Sequence, residues 1–182
     1  MINTLSYIGE KFNDSNITWA VGASVLLNQF GFIDKPNDID IFIEINDIER
    51  ADEILKSIGD KKQCKKTSTY STKYFYEYLI DGIDVDVMSE FAVNHSSGVF
   101  EYIFDHNSIS EFKVINGVSI PFTSLEDWYV IYQLIPNRES KVEIIEKYLL
   151  SNGVKKNMLL KRALKGCLPM EVRRKIENIL SS

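Results

Sequence analysis

The sequence predicts an α+β fold: a small mixed β-sheet flanked by helices, followed by a helical C-terminal third. Three observations carry that reading. Acid/aliphatic alternation marks strands at residues 38–44 and 83–88. Asp81-Gly82 and Asn116-Gly117 each interrupt an alternating run, the strongest local signal for a hairpin. From Ser124 onward the apolar residues recur at helical spacing and the strand patterns stop. A core of residues 1–122 is therefore expected, with residues 123–182 as a helical region packed on it.

The elements follow in order. Ile2, Leu5, Ile8 and Phe12 recur at helical spacing and predict a first helix. Residues 16–21 read as a short buried strand. Gly22 then turns the chain into a helix over residues 23–30, which Gly31 is placed to end. Lys35-Pro36-Asn37 is loop chemistry before the strand at 38–44. Asn46 with Glu49 resembles a capping box for a helix that presents Ile48, Ala51, Ile54, Leu55 and Ile58 on one face and ends at Gly59. A polar loop with Lys61, Lys62, Lys65 and Lys66 follows. Residues 74–80 and 83–88 form the first expected hairpin, and 112–115 with 118–122 the second. Ser124 and Asp127 cap a helix that Pro136 stops. Another helix spans 139–150, and two basic amphipathic helices are separated around Cys167-Leu168-Pro169.

Of the 182 residues, 45% are hydrophobic and 12% aromatic, which provides a sizeable core and argues against disorder. Two cysteines and two histidines, without metal-ligand spacing, exclude a zinc finger and fit a reducing compartment. Met1-Ile2-Asn3-Thr4 lacks the basic start of a signal peptide, and no long apolar run follows, so a cytoplasmic location without membrane contact is expected. The net charge of −5 is uneven. Residues 151–182 hold eight Lys/Arg against two Asp/Glu, and the first 150 residues hold 13 against 24. A basic end on an acidic body docks onto that body or binds nucleic acid.

Asp38 and Asp40 lie two apart on one strand and so share a face. An acidic run alone is what any half-buried strand with a solvated face looks like. Here a second acidic strand, Ile83-Asp84-Val85-Asp86-Val87-Met88, and a glycine turn into a helix accompany it. Two carboxylates on one strand and a third from a neighbour are what paired magnesium ions need to hold a triphosphate. For that, the strands at 16–21, 38–44 and 83–88 must be neighbours, with carboxylate oxygens within roughly 4–6 Å of one another. Asp84 and Asp86 compete for the third place; Asp86 is preferred because Asp84 lies nearer the Asp81-Gly82 turn. Glu44 shares the parity of Asp40 but lies about 13 Å further along the strand. Ser24 either donates to a phosphate or caps its helix. Tyr70, Tyr74, Phe75, Tyr76 and Tyr78 form an aromatic run that suits a strand and is also able to stack a base.

Val21-Gly22-Ala23-Ser24, then thirteen residues, then Asp38-Ile39-Asp40-Ile41, with Val85-Asp86-Val87 later, resembles the signature of the DNA polymerase beta-like nucleotidyltransferase superfamily. The stretch from Thr18 to Gly59, and Ile115 to Pro121 leading into Ser124-Leu125-Glu126-Asp127, is similar to the small bacterial branch with toxin-like and abortive-infection members. The resemblance covers residues 16–150. It implies a transferase that moves a nucleoside monophosphate from an NTP to a hydroxyl acceptor, on a small molecule, an RNA end or a protein. Mg2+ or Mn2+ is implied on Asp38, Asp40 and Asp86, with Asp86 also accepting the acceptor's proton. Gly22, Ala23 and Ser24 are implied to bind the nucleotide.

Three positions depart from the pattern. Ala23 stands where Gly or Ser is usual, Lys35 is the nearest cation before Asp38, and Tyr132 replaces the lysine of the helix after Leu125-Glu126-Asp127. Charge stabilisation of the leaving pyrophosphate then rests on metal and few side chains. Two other functions accord with the sequence. One is a catalytically degenerate binding or antitoxin-like module on the same fold. The other is a nucleic-acid binder working through the basic C-terminal helices, which steep salt dependence would mark.

Overall fold

The computed structural model describes residues 1–64 and 67–182. Two of the four lysines in the polar loop, Lys65 and Lys66, lie outside the described residues. Helix α1 (Ile2–Asp14) leads to β1 (Trp19–Val21), α2 (Ala23–Gln29), β2 (Ile39–Ile43) and α3 (Ile48–Ile58). Strand β3 (Asp60–Lys61) is followed by the hairpin of β4 (Tyr74–Ile80) and β5 (Ile83–Ser89). A small hairpin, β6 (Ala92–His95) and β7 (Gly98–Glu101), precedes β8 (Ile109–Ile115) and β9 (Val118–Thr123). Four helices complete the chain: α4 (Leu125–Leu134), α5 (Glu139–Asn152), α6 (Asn157–Ala163) and α7 (Met170–Ser181).

Seven strands form one sheet in the order β3-β4-β5-β2-β1-β9-β8. It is mixed: β2 runs parallel to β5 and β1 to β9, while the remaining pairs are antiparallel. Both two-residue turns are hairpins, with φ near +50° at Asp81 and Asn116 and above +70° at the glycine after each. Those angles match the primed turns that carry the right-handed strand twist across a hairpin.

Alternation along the strands divides the sheet into two faces. Trp19 on β1 meets Phe12 of α1 edge-on, and Tyr78 on β4 hydrogen-bonds Asp52 of α3. Trp19 pairs with Ile43, and Tyr78 with Val85, which in turn pairs with Ile39. The face of Ile39, Ile41 and Ile43 therefore lies beneath α1 and α3 and is fully buried. Phe42 projects the other way. Its ring lies 5.7 Å from that of Trp128 on α4 and 5.5 Å from Phe91. Asp40 shares this second face, which α4 covers only in part.

Two local expectations change. The strand expected over 16–21 begins at Trp19, because the Ile17 amide still donates to Phe12 O at 2.9 Å and Asn16 takes a positive φ. The capping box of Asn46 and Glu49 does not form. Asn46 sits in a 3-10 turn, Ile45–Asp47, and its amide is taken by the Glu44 carboxylate at 2.8 Å. Helix α3 starts at Ile48, one residue later than that cap implies, and Asp47 receives the Thr18 amide at 2.7 Å. Ser124 does cap α4, accepting the Asp127 amide at 3.0 Å. The basic C-terminal region packs on the acidic body at several points. Arg162 pairs with Asp105 at 3.0 Å, and Glu126 accepts the amides of Lys155 and Lys156. No helix among the described residues is long and apolar enough to cross a membrane.

Candidate active site

Parallel pairing of β2 with β5 puts Asp40 directly beside Asp86, because the register matches Ile39 to Val85 and Asp40 to Asp86. Asp38 stands immediately before β2 on the same side. The three carboxylates each offer an oxygen, and these oxygens lie within 4.8 Å of one another. Among the described residues this is the one cluster of acidic, histidine or cysteine side chains close enough to share a metal ion. Asp84 points to the same sheet face but is exposed and pairs with Lys62. Glu44 is spent on the amide of Asn46.

The glycine turn abuts the cluster. The Gly22 amide donates to the Asp40 carbonyl at 2.9 Å, so any contact with a nucleotide there falls to the residues that follow it. A Cβ at Gly22 would stand 2.5 Å from Trp128 Nε1, and only glycine lets the turn pass this close to the indole. That indole is itself fixed, donating to Thr123 Oγ1 at 2.8 Å, while Thr123 donates to Val21 O. Ala23 holds φ at +45°, a left-handed backbone that strains a residue with a Cβ. Ser24 Oγ lies 3.2 Å from both Asp38 Oδ1 and Asp38 O, and so orients a carboxylate of the cluster.

Crowding shows in the electrostatics. Burial first, then the charges of Asp38 and Asp86, push Asp40 well above the carboxylate range. Burial, Asp38, Glu77 and Asp84 raise Asp86 to about 7. Lys141 faces Asp38 and Asp40; burial and Arg138 hold its pKa down against their pull. An all-oxygen donor set this acidic and close fits a hard divalent cation.

The cluster opens into a cleft of about 220 Å³. Tyr70, Thr72 and Phe75 line one side, and Trp128, Tyr132, Arg138 and Lys141 line another. From the aromatic run only Tyr70 and Phe75 reach the cleft; Tyr78 is buried against α3. Arg138 and Lys141 bring two cations to the cleft beside the carboxylates. The turn from α4 into α5 brings both to the carboxylates. Lys35, the nearest cation in sequence, does not line the cleft.

The same architecture recurs in solved structures. A provisionally assigned nucleotidyltransferase from Thermotoga maritima, TM1012, is 26% identical, with a TM-score of 0.61 over 82% of this chain and 92% of its own. The chain shares the nucleotidyltransferase fold. The antibiotic-resistance factor ANT(2'')-Ia is similar to this chain in fold, at 16% identity and a TM-score of 0.59 over 90% of each chain. The lincosamide antibiotic adenylyltransferase LnuA has 14% identity and a TM-score of 0.54, over 79% of this chain and 95% of its own. The sequence matches no family model and no curated protein.

Proposed function

We propose that this protein is a nucleotidyltransferase that moves a nucleoside monophosphate from an NTP to a hydroxyl acceptor and releases pyrophosphate. The observation that carries the reading is the carboxylate cluster, with oxygens within 4.8 Å, at the floor of a cleft whose wall holds Arg138 and Lys141. Asp38, Asp40 and Asp86 would hold Mg2+ or Mn2+. A divalent ion there supplies neutralisation of the triphosphate's charge. Asp86 takes the proton from the acceptor hydroxyl. The freed oxygen bonds to the α-phosphorus as the bond to the pyrophosphate oxygen breaks. The turn at Gly22, with Ala23 and Ser24 after it, borders the phosphates; the Ser24 hydroxyl holds Asp38 in place. Arg138 and Lys141 meet the negative charge that collects on pyrophosphate.

The test is incubation of the protein with each α-labelled NTP and magnesium, offering in turn an aminoglycoside and a lincosamide, total RNA, and a cell protein extract. Label transferred to one acceptor, with stoichiometric pyrophosphate release, is the expected result. A labelled small molecule would align it with the resistance enzymes, and a labelled RNA or protein with the toxin-like branch. No transfer to any acceptor, with NTP and magnesium still bound, would overturn catalysis in favour of a binding module.

A further inference from the structure

Tyr132 has a feature that the carboxylate chemistry leaves unused. It is 3% exposed, it lines the cleft, and its hydroxyl is buried with no hydrogen-bond partner. Its neighbours fix the ring. Trp128 lies 5.0 Å away centroid to centroid, and Lys141 Nζ sits 4.8 Å above the ring. A buried hydroxyl without a partner is costly, and native proteins rarely leave one. Burial, with Asp40 next, holds it strongly protonated against the opposing pull of Arg138, so it stands ready as a donor. Tyr70, across the cleft, responds to the same Arg138 and Asp40, which places both phenols around one space. Arg138 and Lys141 make that space attractive to an anion.

Resting on the nucleotide reading of the cleft, we propose that the Tyr132 hydroxyl is a positioning donor to the pyrophosphate half of the bound nucleotide. An anionic phosphate oxygen between Tyr132, Arg138 and Lys141 would satisfy the orphaned hydroxyl and receive two cations. A hydrogen bond from a neutral hydroxyl to a charged oxygen is among the stronger kinds. A sugar or base contact fits less well, since neither brings the negative charge that Arg138 and Lys141 would meet.

Tyr132→Phe removes one oxygen and keeps the ring against Trp128 and Lys141. Calorimetric titration with magnesium pyrophosphate, the product common to all four NTPs, is expected to show about tenfold weaker binding in the variant. Affinity for nucleoside monophosphates should change by less than about twofold. The ligand-free variant should melt at or above the wild-type temperature, because the lost hydroxyl had no partner to lose. Equal pyrophosphate affinity in the two proteins overturns the role of Tyr132 alone. So does a variant that melts well below wild type, which would reveal a partner within the folded chain. A wild type that binds neither pyrophosphate nor any NTP overturns the nucleotide reading itself, and this role with it.

Discussion

Asp84 and Asp86 are two residues apart on one strand, and the fold gives them different lives. Asp84 is exposed and neutralised by Lys62, whereas Asp86 is half-buried beside Asp40 and raised to about 7. Burial is the first cause of that rise, and Asp38 the second. With a divalent cation bound, the carboxylate would be held ionised, the form that takes a proton. Asp86→Asn keeps the shape and removes the base, so with saturating magnesium it should lower the rate of nucleotidyl transfer at least ~100-fold. NTP affinity should fall far less. Asp84→Asn, on the same strand face, should leave most activity intact. Single-turnover rates for both variants decide it; if Asp84→Asn is the dead one, the third carboxylate is misassigned.

At the scale of elements, what was legible in the sequence was whatever local chemistry decides. Asp81-Gly82 and Asn116-Gly117 specify primed turns, so both hairpins were readable to within a few residues. Alternation located β2 and β5, and the pairing of Asp40 with Asp86 followed once those strands proved adjacent. The hairpin of β6 and β7 went unread because each strand has four residues and no diagnostic turn dipeptide joins them. The capping box failed because Glu44, two residues upstream, competed for the Asn46 amide. Tyr132, Arg138 and Lys141 reach the cleft through the packing of α4 and α5 beside the sheet, which no local pattern encodes. The contact that sets this packing is testable. Gly22→Ala drives a methyl into the Trp128 indole, which its hydrogen bond to Thr123 keeps from retreating. Overpacking of this kind should cost about 1–3 kcal/mol by chemical denaturation. Magnesium binding should weaken too, since the same turn donates to the Asp40 carbonyl. An unchanged midpoint would mean that α4 is free to shift.

Across the whole molecule, carboxylates pull stability in opposite directions with pH. Asp47, Asp52 and Asp105 are each lifted by burial but more than offset by partners. These are Thr18 and Arg50 for the first, Lys56, Lys61 and Tyr78 for the second, and chiefly Arg162 for the third. Their pKa values are depressed, so they stabilise the fold above the ordinary carboxylate value and lose that effect as pH falls through the folded value. Asp40 and Asp86 behave conversely. Raised in the folded state, they favour folding fully below the unfolded value of 3.8, and that contribution is lost as pH rises through about 7 for Asp86 and beyond the carboxylate range for Asp40. Without metal, the cluster therefore still holds protons at neutral pH, Asp40 above all, because its carboxylates resist ionising side by side. A divalent cation binds the ionised form, and at acidic pH it must first displace protons. Magnesium should consequently raise the melting temperature more at pH 8 than at pH 5.5, by binding the native state alone. Asp40→Asn should abolish the increment at both pH values. Scanning calorimetry of the two proteins with and without magnesium measures it directly. An increment independent of pH, or one that survives in Asp40→Asn, would put the ions elsewhere and remove the carboxylate cluster from the mechanism.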